Sequence, residues 1–218
     1  MGIGKKGFTL VEIIVSLAIM TIVAGAVGAF VIAGNNSYMR GNKELTLQEE
    51  AQLTANQMID LIIDVEKGIS FSNLTDQEAV DVDGNVAKDV NGMEVTNASV
   101  SELRLINNDN SYMIRWQGGA GADYADANQV YLYEVTNSKD AEGKLVVGDF
   151  DAARPALMAE HVSSFSVDLS ELDKRKVVLN MTFTYQDKSY DISETIKLRN
   201  DLSSEPSSIY SWISGIRI

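Results

Sequence analysis

Apolar and polar residues follow three successive patterns along this chain. From Ile13 to Met39 there is no charged residue. Ile13 to Ala33 alone suffices to cross a bilayer, because roughly 20 apolar residues rising about 1.5 Å each span the hydrocarbon. From Asn42 the pattern turns amphipathic. Leu47, Ala51, Ala55, Met58, Ile62 and Val65 recur at three- and four-residue steps, while Glu49, Glu50 and Asp60 fall elsewhere, which predicts a helix with one apolar face. The run covers only about three heptads and lacks sustained flanking charge pairs, so it predicts a face docked on a core rather than a coiled-coil seam. Lys67-Gly68 reads as the helix stop. One helix from Phe8 to Lys67 is predicted, about 90 Å long at 1.5 Å per residue.

Beyond it the period falls to two. Phe71 to Ser99 is acidic, with surface turns expected at Asp83-Gly84, Asn85 and Asn91-Gly92. Leu103 and Leu105, then Tyr112, Ile114 and Trp116, alternate around Asn107–Asn110 and predict a hairpin. Gly118 to Asn128 reads as an exposed loop, Val130 to Val135 as a strand, Asn137 to Gly143 as a turn and Lys144 to Val147 as a short strand. Ala156 to His161 is expected to form one short helical turn. Phe165, Val167 and Leu169 alternate with polar partners. Val177 to Tyr185 and Tyr190 to Leu198, joined at Gln186–Ser189, give the clearest hairpin pattern in the chain. Alternating antiparallel strands bury one face, and the helix stripe is the available apolar partner. The predicted class is α+β: a long N-terminal helix packed on a mainly antiparallel β-sheet domain. The expected divisions are 1–7 short basic N-terminal segment, 8–39 apolar helix of membrane length, 40–67 amphipathic spine, 68–200 β-rich domain and 201–218 tail. The tail carries Ile209, Tyr210, Trp212, Ile213, Ile216 and Ile218, and either packs back on the sheet or contacts a partner.

Charge and composition narrow the function. The formal net charge is −13, and a mature chain lacking Lys5 and Lys6 carries −15 on side chains (−13 minus +2). That balance argues against nucleic acid, whose phosphates require basic patches. There is no cysteine, hence no disulfide framework, thiolate nucleophile or cysteine metal site. The single histidine, His161, is read as structural. Asp81-Val82-Asp83-Gly84-Asn85 resembles the start of a calcium loop but lacks the terminal Glu at the required spacing, so turns are expected. No cofactor is expected; calcium is the one ion left open. No nucleophile elbow, phosphate loop or His/Cys cluster points to an enzyme.

The chemistry sits at the N-terminus. Lys5 and Lys6 are followed by Gly7-Phe8-Thr9-Leu10-Val11-Glu12 and then by the apolar block. Lysines on the cytoplasmic side set the topology, N-terminus in and bulk out. Glu12 is the lone intruder; an acidic side chain in hydrocarbon costs about 2.5–3.5 kcal/mol on insertion scales and calls for a partner. Three plain readings compete. Lys5, Lys6, Ile13–Val23 and Ala24-Gly25-Ala26 imitate a secretory signal peptide, although Glu12 and the continuing apolar run oppose it. A simple membrane anchor leaves Glu12 snorkelling to the interface. A buried core helix is disfavoured by length. Gly25-Ala26-Val27-Gly28-Ala29 is either a close-approach face or ordinary membrane-helix glycine.

Gly7-Phe8-Thr9-Leu10-Val11-Glu12 resembles the processing motif of type IV prepilins and of the pilin-like proteins of type II secretion. The resemblance implies cleavage between Gly7 and Phe8 by a prepilin peptidase and N-methylation of Phe8. It also makes Glu12 the assembly carboxylate, paired with the Phe8 amine of a neighbouring pilin or pseudopilin subunit. Many members carry a proline where Ala29 and its neighbours stand here, so a helix-melting point is not implied by that residue. The strand–turn–strand ending with Leu198-Arg199-Asn200 resembles the larger minor pilins and J-type minor pseudopilins. The implied function is a structural subunit of a pilus, a secretion pseudopilus or a competence pseudopilus, at the tip or as an initiator, located in the cytoplasmic membrane and then the filament. The alternatives are a membrane-tethered extracytoplasmic binding domain that never polymerises, and an enzyme released by signal peptidase.

Overall fold

The computed structural model describes residues 9–89, 91–95, 98–118 and 127–202. The chain divides into two compact units, Met1–Leu45 and Thr46–Ile218. Helix α1, Leu10–Ile63, contributes to both. In the first unit every position from Thr9 to Asn42 is exposed, and this stretch is apolar and long enough to cross a membrane.

In the second unit the last turns of α1 bury Leu47, Ala51, Thr54, Ala55, Met58 and Ile62, with Val65 buried just beyond. The expected stripe is the core face, and Thr54 joins it by donating its hydroxyl to the carbonyl of Met158. The helix stops at Ile63, four residues before the expected Lys67. Three sets of bonds end it. Val65 N–H closes a tight turn on Ile62 O, Lys67 N–H turns to Ile106 O, and Arg199 N–H caps Ile63 O at 3.0 Å. Asn200 donates its side-chain amide to Val65 O at 2.9 Å. These residues answer the carbonyls that a helix end leaves unpaired. Gly68 does not lie past a helix end but opens a strand.

Among the described residues ten strands follow: β1 (Gly68–Gln77), β2 (Ala98–Ile106), β3 (Asn110–Gly118), β4 (Gln129–Thr136), β5 (Ser138–Lys139), β6 (Leu145–Val146), β7 (Ala156–Ala159), β8 (Val162–Asp168), β9 (Lys176–Tyr185) and β10 (Lys188–Lys197). They form a sheet of order β1-β2-β3-β4-β7, a second of order β10-β9-β8, and the small pair β5-β6, all antiparallel. The layout is α+β, as the hydrophobic periods predict. Ahead of the expected turns at 83–85 and 91–92, β1 pairs along β2 from Gly68↔Ile106 to Leu74↔Val100. One expectation needs correction. Ala156–Ala159 is strand, not helix, because it fills the open edge of β4 through Tyr131↔Leu157 and Leu132↔Ala156. The short helical turn lies earlier, at Phe150–Ala152.

The main core joins the α1 stripe to Ile69, Leu103, Leu105 and Ile114 of the larger sheet and to Phe165, Val177, Leu179, Met181, Phe183 and Ile196 of the smaller. The larger sheet is also covered on its other face. Met113, Tyr131, Tyr133, Val135 and Phe150 form a second cluster, with Val80, Val147 and Ala153 packed on it. Glu102 is thereby buried and is held by Arg104 at 2.7 Å. Burial raises the Tyr133 phenol above its usual range.

One turn design recurs three times. Asp81, Asp89 and Asp140 each accept backbone N–H bonds on Oδ1 from residues two and four further on. Gly84, Gly92 and Gly143 each adopt φ near +80° and donate N–H back to the aspartate carbonyl. This is a tight turn followed by a left-handed glycine, the geometry of a bulged hairpin. The Asp81 segment is therefore a turn whose carboxylate faces backbone donors, as expected from its missing terminal Glu.

Candidate functional site

Gly7 and Phe8, the residues of the expected cleavage, lie outside the described residues, as do 203–218 of the tail and 119–126 of the expected loop. Glu12 lies in the first turn of α1. Its Oε2 accepts the backbone N–H of Thr9 at 2.8 Å and the Thr9 hydroxyl at 2.9 Å. Glu12 N–H in turn lies 3.3 Å from Thr9 Oγ1. This reciprocal arrangement is a capping box, in which the Ser/Thr and the Glu three residues on satisfy each other's orphan donors. The signal for it is present in the sequence as Thr9-Leu10-Val11-Glu12, a threonine followed three residues later by a glutamate.

The capping box changes the chemistry of the carboxylate. A negative charge in the first helical turn is favoured by the helix dipole. Oε2 is committed to Thr9, whereas Oε1 accepts no hydrogen bond among the described residues. One carboxylate oxygen is thus used to start the helix, and the other remains open to a further donor.

A second polar arrangement lies in the other unit. Glu50 Oε1 accepts the N–H groups of Glu160 and His161, at 2.6 and 3.2 Å, and Oε2 lies 2.6 Å from His161 Nδ1. The His161 ring meets Tyr185 edge-on, with centroids 4.6 Å apart. His161 is therefore tied into the structure, and Glu50, which the periodicity placed only off the apolar face, is its anchor. No sequence signal links residues 111 positions apart. Among the described residues, no group of three or more His, Cys, Asp or Glu side chains is placed to hold a metal ion.

The prokaryotic N-terminal methylation motif matches residues 4–28. No curated protein and no solved structure matches the chain. The motif spans the Gly7-Phe8 junction, the capping box and the first half of the apolar stem. It supports a pilin-type subunit processed as a prepilin, and together with the exposed apolar helix it fits a membrane-anchored pilin. It implies processing by a prepilin peptidase and assembly with other pilins. The motif family is structural rather than enzymatic.

Proposed function

We propose that this chain is a minor pilin or pseudopilin. Prepilin peptidase cleaves between Gly7 and Phe8 and methylates Phe8. Before cleavage the precursor spans the cytoplasmic membrane with Lys5 and Lys6 inside and residues 46–218 outside; the processed subunit, beginning at Phe8, then enters a filament. Glu12 accepts the Phe8 ammonium of a neighbouring subunit. The observation that carries the reading is the methylation motif at residues 4–28, followed by an exposed apolar helix. The open Oε1 of Glu12 supports the pairing. A buried carboxylate and ammonium are each costly alone, and removing one side of such a pair costs about 3–5 kcal/mol. The pair therefore fixes subunit register. The domain is large for a bulk subunit, which favours a tip or initiating role by analogy of architecture.

N-terminal sequencing of the protein from cells with active prepilin peptidase tests the processing. A methylated Phe8 terminus is expected; an intact Met1, or a terminus near Val27, rules the reading out. Glu12→Ala tests assembly: membrane insertion persists while the subunit disappears from sheared filaments. A tethered, non-polymerising domain would show no loss.

A further inference from the structure

A polar pocket of about 300 Å³ lies where the start of β4, the β7–β8 connection and the end of β9 meet; Asn128, Gln129, Glu160, His161, Thr184 and Tyr185 line it. Its character follows from Glu50. Because the Glu50 carboxylate sits 2.6 Å from His161 Nδ1, the proton of the neutral ring is held on Nδ1 and Nε2 keeps its lone pair. Two backbone N–H groups bind the same carboxylate and fix its position. His161 Nε2 and the Glu160 carboxylate make no hydrogen bond among the described residues. Tyr185 is 37% exposed and presents an aromatic ring beside His161. At Asn128 the backbone is left-handed, φ 64°, which shapes the rim.

Among the described residues the groups left open include the Glu160 carboxylate, His161 Nε2 and the Tyr185 ring, beside the side-chain amides of Asn128 and Gln129; the carboxylate is the one full charge among them. Among the described residues that line it, none is a lysine or arginine. Such a site suits a donor-rich cation on an apolar stem, held by a charge-assisted bond to the carboxylate and by the ring face. We propose that this pocket receives an arginine or lysine side chain of a partner protein. A chain of net charge −13 favours a basic partner at long range. The inference does not depend on polymerisation and holds equally for a tethered domain.

The single histidine makes the test direct, because only one imidazole signal set exists. N-acetyl-arginine methylamide is titrated into the full chain in detergent micelles at fixed pH and matched ionic strength. The His161 ring signals shift saturably, with a dissociation constant on the order of 1–10 mM, and N-acetyl-lysine methylamide competes. The neutral isostere N-acetyl-citrulline methylamide leaves them in place. Glu160→Gln, a change at an exposed position, weakens binding by about threefold or more, and Tyr185→Leu weakens it further. No saturable shift, an equal shift with citrulline, or unchanged affinity in folded Glu160→Gln protein overturns the proposal.

Discussion

The side-chain amide of Asn200 lies 2.9 Å from the carbonyl oxygen of Val65, 135 residues earlier in the chain. With Arg199 N–H on Ile63 O and the Arg199–Asp64 ion pair, it closes the end of α1 with the residues just after the final strand. The spine helix is therefore finished only when the last strand is in place. Asn200→Ala removes the partly buried bond and is expected to lower domain stability by about 1–2 kcal/mol, read by denaturant unfolding. A chain ended after Lys197 loses these caps together with the buried Leu198 and Leu202, and is expected not to fold. A chain ended after Leu202 retains them and folds.

The α1 stripe separates buried from exposed positions on one helix. Met58 is fully buried and Leu53 is 61% exposed on the same helix. Met58→Ala is expected to destabilise the domain by about 2–5 kcal/mol. Leu53→Ala is expected to change it by less than about 0.5 kcal/mol. Equal losses at the two positions would mean that the helix docks through another face.

Glu50 fixes the loop between β7 and β8 through three donors. Glu50→Ala leaves two backbone N–H groups and the His161 ring without their acceptor, at a cost of about 2–3 kcal/mol. Hydrogen exchange at the amides of Glu160 and His161 should accelerate well before global unfolding. Unchanged exchange at both amides would show that Glu50 does not hold this loop.

Thr9 acts at the other end of α1. Thr9→Val keeps the size of the side chain and removes the hydroxyl that donates to Glu12 Oε2 and accepts from Glu12 N–H. The first turn is expected to lose about 1 kcal/mol, seen as faster amide exchange at Glu12 with the rest of the stem unaffected. Stem-wide change would argue that the capping box does more than start the helix.

Asp89 supplies a pH dependence. The backbone N–H of Met93 foremost, with further hydrogen bonds from Asn91 and Gly92, holds its carboxyl below the usual aspartate range against the opposing effect of desolvation. A depressed carboxyl contributes stability that is present above its ordinary pKa of about 3.9 and is lost as pH falls through the lower folded value. The stability difference between the native chain and Asp89→Ala should therefore be constant from neutral pH to about 5 and then shrink as pH falls through the lowered folded value. A carboxyl titration midpoint at or above the ordinary value would refute this.

Much of this architecture was written locally. The three-and-four spacing from Leu47 to Val65 specified the buried helix face, because a helix repeats every 3.6 residues whatever it packs against. Alternation from Val177 to Tyr185 and the glycines after Asp83, Asn91 and Glu142 specified strands and turns, because pleat and left-handed backbone are local properties. Lys5 to Glu12 carried the methylation motif, because a motif is a local order of residue types. Tertiary structure alone decided where α1 ends, since its carbonyls are capped from residues 199 and 200. It made Ala156–Ala159 a strand, since an open sheet edge outweighs weak propensity. It also brought Glu50 to His161, a contact between distant segments that no periodicity encodes.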